Sequence, residues 1–182
     1  PMNCPGHILI YRSNLHSYRE LPIRYAEFGT VYRYELSGVM HGLTRVRGFT
    51  QDDAHLFCTP EQVQHEFEQT LDEALRLMKA FGFTDFEYFL STRVGDDRGD
   101  TDAVAEEAIR KALDRFNLPY SVDEGGGAFY GPKLDINVRD AIGRKWQLGT
   151  VQVDFVLPAR FDLKYRGSDG LDHTPVMIHR AP

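Results

Sequence analysis

Two stretches of the chain repeat apolar residues every three to four positions, which is the spacing of an amphipathic helix. The first, residues 63–78, follows Thr59-Pro60-Glu61-Gln62, which has the form of a capping box with proline at the first helical position. The second spans residues 104–116, and its helix is predicted to begin at Asp100 or Thr101. Both apolar stripes predict helices that pack on a hydrophobic core.

Most of the remaining chain alternates apolar and polar residues, as half-buried strands do. Residues 24–35 and 45–57 flank a glycine-containing loop and predict a long hairpin. Residues 83–90 predict a strand between the two helices, and 134–138 predict another that turns back into 145–155. Strands joined by hairpins, with two helices inserted, favour an α+β fold whose largely antiparallel sheet is flanked by helices.

One face of the predicted hairpin is too polar to pack against helices, because burying unpaired charges is costly. The residues that share this face by strand parity are Arg33, Glu35, Arg45, Arg47, Phe49, Gln51 and Asp53. Periodicity alone leaves two interpretations open, a solvated outer face or a polar cleft. An aromatic ring flanked by arginines favours the binding of a planar, phosphate-bearing ligand.

Composition limits the function classes. The net charge of −6 argues against sequence-independent wrapping of nucleic acid. Six arginines, three glutamates and no lysine lie between Arg12 and Arg47, a bias typical of bidentate phosphate or carboxylate recognition or of a solvated face. No apolar run reaches the length of a membrane helix, and we expect no membrane partner. Two cysteines and no secretory signal predict reduced thiols and a cytoplasmic location.

Five blocks of the sequence, in unchanged order, resemble the threonyl-tRNA synthetases, which are class II aminoacyl-tRNA synthetases. The first hairpin and its loop, FGTVYRYELSGVMHGLTRVRGFTQDDAHLF, resemble motif 2 of that class. The blocks specific to the threonyl family are MNCPGH, RVRGFTQDDAHLF, GAFYGPK, WQLGTVQVDF and PVMIHRA. The resemblance implies that residues 1–182 are a single partial catalytic domain. Motifs 1 and 3 would then lie outside it, and the editing and anticodon-binding domains would be absent.

The resemblance also implies roles for individual residues. Arg33 would bind the ATP α-phosphate and the amino-acid carboxylate, and Arg45 would bind the γ-phosphate. Glu35 would accept a hydrogen bond from the adenine amino group, and Phe49 would stack on adenine. Lys133 would add positive charge, so Arg33 and Lys133 are the catalytic candidates. Further implied contacts are Gln147 and Thr150 for ATP, with its Mg²⁺, and Met2, Gln51, Asp53, Tyr130 and Gln152 for threonine. Gln147 and Gln152 have opposite strand parity, so we expect a bulge near Gly149 to re-aim them.

Local spacing gives no metal motif, since neither HExxH nor CxxC is present. From the residues alone, the preferred interpretation of Cys4, His55 and His179 is a buried free thiol and two hydrogen-bonded histidines. The resemblance implies instead that these three bind one Zn²⁺ and that threonine completes the coordination shell through its amino and hydroxyl groups. Neither approach assigns a role to His7 or His41.

The activity implied by the resemblance is activation of threonine with ATP, followed by its transfer to the cognate tRNA. The parent protein is expected to be a homodimer, and the isolated segment to be inactive or weakly active. Two other classes stay open at this point. One is a non-catalytic paralogue that serves as an interaction module, and the other is a zinc hydrolase with Asp52 or Asp53 as its base.

Overall fold

The computed structural model describes residues 2–94 and 100–182. The helices in these ranges are α1 (Cys4–Arg12), α2 (Val63–Ala80), α3 (Asp100–Arg115) and α4 (Val156–Arg160), with a 3₁₀ turn at Pro60–Gln62. The strands are β1 (His16–Ser17), β2 (Ile23–Tyr32), β3 (Gly48–Cys58), β4 (Phe86–Thr92), β5 (Tyr120–Glu124), β6 (Lys133–Arg139), β7 (Lys145–Asp154), β8 (Tyr165–Arg166), β9 (Asp172–His173) and β10 (Val176–Ala181). Within the described residues, no helix is long and apolar enough to span a membrane.

Seven strands form the main sheet in the order β2-β3-β10-β7-β6-β4-β5, and β1, β8 and β9 form a small second sheet. Every neighbouring pair in the main sheet is antiparallel except β4 and β5. The predicted α+β class is therefore confirmed. The last strand, β10, lies between β3 and β7, and so joins the first hairpin to the second.

Helices α2 and α3 cover one face of the main sheet. The predicted capping box forms, since the Thr59 amide donates to Gln62 Oε1 over 2.9 Å, and α2 follows directly. Inward residues from both helices and from alternate strand positions make one core, for example Phe67, Ile109 and Leu134, each fully buried. This layer matches the two apolar stripes and the alternation seen in the sequence.

The opposite face of the sheet carries α1, a helix that the sequence patterns did not predict. Ile8 and Tyr11 of α1 pack with Phe57 and Met177 in a second apolar cluster. The segment leading into α1 approaches β2 closely, because a Cβ at Gly29 would lie 1.9 Å from Asn3 Nδ2. Glycine at this position admits the start of α1, which carries Cys4, onto the first hairpin.

The first hairpin has shorter strands than predicted. β2 ends at Tyr32 and β3 begins at Gly48, so residues 33–47 form the connection. One backbone hydrogen bond continues the pairing beyond the strands: the Arg33 amide donates to the Arg47 carbonyl over 2.8 Å. An isolated bridge then joins His41 and Arg45. Candidate residues Arg33, Glu35 and Arg45 thus belong to a loop.

Candidate functional site

A cavity of ≈ 710 Å³ lies where the start of β3, the middle of β7 and the end of β10 meet. Its lining includes every residue expected to contact ATP: Arg33, Glu35, Arg45, Phe49, Gln147 and Thr150. Gln51 and Asp52 also line it. The structure therefore gathers into one cavity residues that are separated by more than 100 positions in the chain.

The charged groups of this cavity lie close together. Arg45 Nη2 is 3.2 Å from Glu35 Oε2, and the Arg33 guanidinium lies 5.0 Å from the centre of the Phe49 ring. Arg47 donates to the Glu35 backbone carbonyl over 3.0 Å. An arginine over an aromatic ring, with a second arginine in the same cavity, suits a ligand that combines a planar base with anionic oxygens.

The expected bulge in β7 is present. Ile136 pairs with Gly149 and Asn137 with Gln147, so the register shifts between these pairs. The extra residue brings Gln147 onto the sheet face that already holds Thr150 and Gln152. The bulge therefore places two glutamines of opposite sequence parity on one face of the sheet.

A buried carboxylate, Asp135, connects several groups on this face. Gln147 Nε2 donates to Asp135 Oδ1 and Ser91 Oγ to Asp135 Oδ2, both over 2.7 Å. Lys133 forms an ion pair with the same carboxylate. Asp135 was not singled out from the sequence, and it fixes two of the candidate residues, Gln147 and Lys133.

The second part of the site is a cluster of Cys4, His55 and His179. One possible ligand atom from each lies within 4.8 Å of the others. The cluster is assembled from three elements: α1 supplies Cys4, and His55 of β3 is the direct partner of His179 in β10. Their imidazole rings are perpendicular, with centroids 4.8 Å apart.

The two histidines have opposite electrostatic environments. Burial, together with the charges of His179 and His7, lowers the pKa of His55 to about 2. Burial alone would also lower the pKa of His179, but hydrogen bonds to Asp154 and Cys4 raise it to about 9. His179 Nε2 lies 2.8 Å from Asp154 Oδ2. Asp154 is thus an outer partner that orients this imidazole.

The chemistry of the cluster fits a zinc ion. One thiol and two imidazoles are typical zinc ligands, and three protein ligands leave a coordination position open. His55 Nδ1 is engaged by His7, whereas His55 Nε2 is buried and has no hydrogen-bond partner among the described residues. A buried, neutral imidazole nitrogen without a partner is explained if it binds a metal.

Residues expected to contact threonine surround this cluster. Tyr130 donates to Gln152 Oε1 over 2.8 Å, and its ring centre is 5.1 Å from that of His179. Asp53 is buried, with Oδ1 3.8 Å from His55 Nε2. Burial raises the pKa of both Asp53 and Tyr130. Met2 lies two residues before Cys4, 43% exposed, and among the described residues it is not part of the cavity lining.

Comparison with known proteins gives consistent results. Residues 1–181 match the family model described as tRNA synthetase class II core domain (G, H, P, S and T). The chain is 59% identical over its whole length to the threonine–tRNA ligase of Magnetococcus marinus and 58% identical to that of Aquifex aeolicus. It covers 28% and 29% of those proteins, so it spans less than a third of their length. The chain belongs to the threonyl-tRNA synthetase family.

Solved structures agree with this family assignment. The structure titled as the RNA binding domain of threonyl-tRNA synthetase from Cryptosporidium parvum Iowa II matches with a TM-score of 0.89 and 48% identity, over all of this chain and 46% of that one. A putative threonyl-tRNA synthetase from Aeropyrum pernix matches with a TM-score of 0.79 and 37% identity, over all of this chain and 44% of that one. Prolyl-tRNA synthetase from Cryptosporidium parvum, at 14% identity and a TM-score of 0.68 over all of this chain and 31% of that one, shares the fold.

The structure also places the two histidines that the sequence left unassigned. His41, in the connection between β2 and β3, lies against the β6–β7 hairpin: its ring centre is 5.2 Å from Trp146 and its Nε2 is 3.3 Å from Arg144 Nη1. His7 lies beside His55, at 2.8 Å between their Nδ1 atoms. A sequence signal existed for His7, because Cys4 and His7 are three residues apart and so share one face of α1.

Proposed function

We propose that this chain is the catalytic-core segment of a longer threonine–tRNA ligase, the parent enzyme. That enzyme converts threonine and ATP to threonyl-adenylate and pyrophosphate, and then transfers threonine to its tRNA. One observation carries the proposal. Phe49 and Gln51, which line the cavity, alternate along β3 with Asp53 and with His55, a member of the Cys4–His55–His179 cluster. All four side chains therefore face the same side of the sheet.

In this proposal the cavity binds ATP. Adenine lies against Phe49 and donates its amino hydrogen to Glu35, while Arg45 binds the γ-phosphate. Because Arg45 and Glu35 are already in contact, both roles require an ATP bent so that its γ-phosphate folds back towards the base. Mg²⁺ accompanies the triphosphate.

Arg33 has the central role in the activation step. A carboxylate oxygen of threonine attacks the α-phosphorus, a new P–O bond forms, and the bond to the pyrophosphate oxygen breaks. Arg33 offsets the negative charge that develops on the α-phosphate, and its planar fork can bind the carboxylate at the same time. Lys133, held by Asp135, adds positive charge on the same sheet face.

The cluster at the far end of β3 binds the amino acid. Cys4, His55 and His179 would hold Zn²⁺, which would act as a Lewis acid towards the amino and hydroxyl groups of threonine. Asp53 accepts a hydrogen bond from the hydroxyl, and Tyr130 and Gln152 close the pocket beside His179. Threonine is thereby recognised by its hydroxyl as well as by its size.

Zinc content tests the assignment of the metal ligands. We expect Cys4→Ala in the parent enzyme to lose stoichiometric zinc, because it removes the only thiol of the cluster. Cys58 is the matched control, since it is fully buried in the apolar core and burial raises its pKa to about 12. Cys58→Ala should retain the metal, as measured by elemental analysis after dialysis. Equal loss from both variants would show that the wrong thiol was assigned.

Aminoacylation by the parent enzyme tests the whole proposal. With ATP, threonine and threonine tRNA, we expect charged tRNA to accumulate, and we expect the enzyme to be a cytoplasmic homodimer. A non-catalytic paralogue would bind these ligands without charging the tRNA. A zinc hydrolase would not account for the arginine-lined cavity. Its activity would also be independent of ATP.

A further inference from the structure

The zinc ligand His55 has a hydrogen-bonded neighbour whose role is not explained by the activation reaction. His7 of α1 is buried, and its Nδ1 lies 2.8 Å from Nδ1 of His55. The other nitrogen of His7, Nε2, lies 3.1 Å from Glu27 Oε1 on β2. A continuous chain of contacts therefore runs from the exposed carboxylate of Glu27 through the buried His7 to His55, the proposed metal ligand.

The register of the sheet and the path of α1 build this chain. Tyr25 of β2 is the direct partner of His55, and Glu27 is the direct partner of Asp53. Cross-strand partners point to the same side of a sheet, so Glu27 and His55 both face α1. His7 lies one helical turn after Cys4, and its ring also contacts the Tyr25 ring at 5.7 Å. One helix face thus presents a metal ligand and the neighbour of a second ligand.

We propose that His7 and Glu27 are positioning residues that hold His55 in the tautomer with its proton on Nδ1, so that the Nε2 lone pair faces the Cys4–His179 side of the site. This inference rests on the zinc site of the proposed function. It goes further in assigning a role to two residues that do not touch the metal, the nucleotide or the amino acid.

The donor and acceptor rules give the direction of each hydrogen bond. A carboxylate only accepts, so His7 Nε2 carries a proton and donates it to Glu27. With this single proton on His7, the remaining nitrogen, Nδ1, is an acceptor. His55 Nδ1 must therefore be the donor, which leaves His55 Nε2 without a proton. This is the nitrogen that is buried and has no hydrogen-bond partner among the described residues.

The second imidazole ligand has a simpler version of the same arrangement. His179 Nε2 lies 2.8 Å from Asp154 Oδ2, so a carboxylate contacts it directly. His55 reaches its carboxylate, Glu27, through His7. Such outer hydrogen bonds fix the ring orientation and raise the basicity of a metal-bound imidazole, and losing one typically costs ~10–100-fold in metal affinity.

A pair of substitutions of equal shape isolates the acceptor at position 7. Asparagine can present its amide oxygen near the place of His7 Nδ1, whereas leucine has nearly the same shape and no acceptor. We expect His7→Leu in the parent enzyme to weaken zinc binding ~10–100-fold. His7→Asn should stay close to the unmodified enzyme, and His65→Ala, at an exposed histidine of α2, should have no effect. The measurement is zinc transfer to a chromogenic chelator, followed as both rate and equilibrium.

Two substitutions at Glu27 provide a second test. They should disturb the packing little, because this side chain is 43% exposed. Glu27→Gln keeps an acceptor for His7 Nε2, and Glu27→Leu removes it. We expect faster zinc release from the leucine variant only. Equal effects of the two substitutions within each pair, or no effect of either, would overturn the positioning role. If the unmodified parent enzyme binds no zinc, the proposed zinc site itself is wrong. This result differs from one in which the parent enzyme binds zinc and only the positioning role of His7 and Glu27 fails.

Discussion

Replacing Asp53 by alanine in the parent enzyme is expected to slow threonine activation by roughly 10–100-fold, which corresponds to losing a hydrogen bond to a charged group. The ratio of the threonine activation rate to the valine activation rate is expected to fall as well. The two amino acids are nearly isosteric, so an apolar pocket separates them poorly, whereas a site built around a hydroxyl rejects its analogue by ~10⁴ or more. Adenylation rates for both amino acids, in the variant and the unmodified enzyme, provide the measurement.

The environment of Asp53 supports this expectation. The residue is 4% exposed, its Oδ1 is 3.8 Å from His55 Nε2, and its Oδ2 has no hydrogen-bond partner among the described residues. Valine would leave this buried oxygen unsatisfied, and unpaired buried groups are costly. Serine carries the same hydroxyl and is expected to remain a competing substrate.

The control for Asp53 is a carboxylate in the opposite layer. The side chain of Asp72 in α2 is 45% exposed and pairs with Arg76, so Asp72→Ala should change neither rate. If Asp53→Ala lowers threonine activation but leaves the ratio to valine unchanged, Asp53 is only structural and the zinc ligands alone account for the selectivity.

Replacing Arg33 by alanine is expected to lower the rate of threonyl-adenylate formation by ~10²–10³, the typical loss when one preorganised group that stabilises transition-state charge is removed. Arg33→Lys keeps the charge but not the planar fork that binds two oxygens at once, and it should recover only part of this loss. Single-turnover measurement of adenylate formation at saturating ATP separates this effect from weaker nucleotide binding.

A matched arginine for this test is Arg76, which is exposed on α2 and away from the cavity. Arg76→Ala should retain the full rate. A rate for Arg33→Ala that equals the Arg76→Ala rate would show that Arg33 does not face the reacting phosphate.

The fold class could be predicted because it rests on local sequence patterns, whereas the roles of the site residues came from the family resemblance. The capping box and apolar stripe of α2, the alternation in β6 and the bulge near Gly149 are properties of short segments, and the structure shows all three. Strand parity also predicted that Phe49, Gln51 and Asp53 share a face; all three lie in β3, and Phe49 and Gln51 line the cavity.

Other features depend on long-range packing that periodicity does not encode. The sequence patterns do not predict α1 because the helix is short and its apolar residues 8–11 are consecutive, without helical spacing. Its position also depends on a close approach at Gly29. The buried partners of the site residues were missed for the same reason. Asp135, Asp154 and His7 become partners of Gln147, His179 and His55 only when separate strands and α1 are brought together. The ligand set Cys4, His55 and His179 came from family resemblance, since 124 positions separate the two histidines.

Amino-acid-dependent ATP–pyrophosphate exchange by the zinc-loaded parent enzyme, with each of the standard amino acids in turn, tests the central claim most directly. The assay reports activation alone, so it depends on the two parts of the site that lie along β3. We expect strong exchange with threonine, weak exchange with serine and almost none with valine, and we expect Cys4→Ala to lose the threonine signal together with its zinc. Exchange that is absent for every amino acid, or that is strongest for an amino acid without a side-chain hydroxyl, would contradict the account.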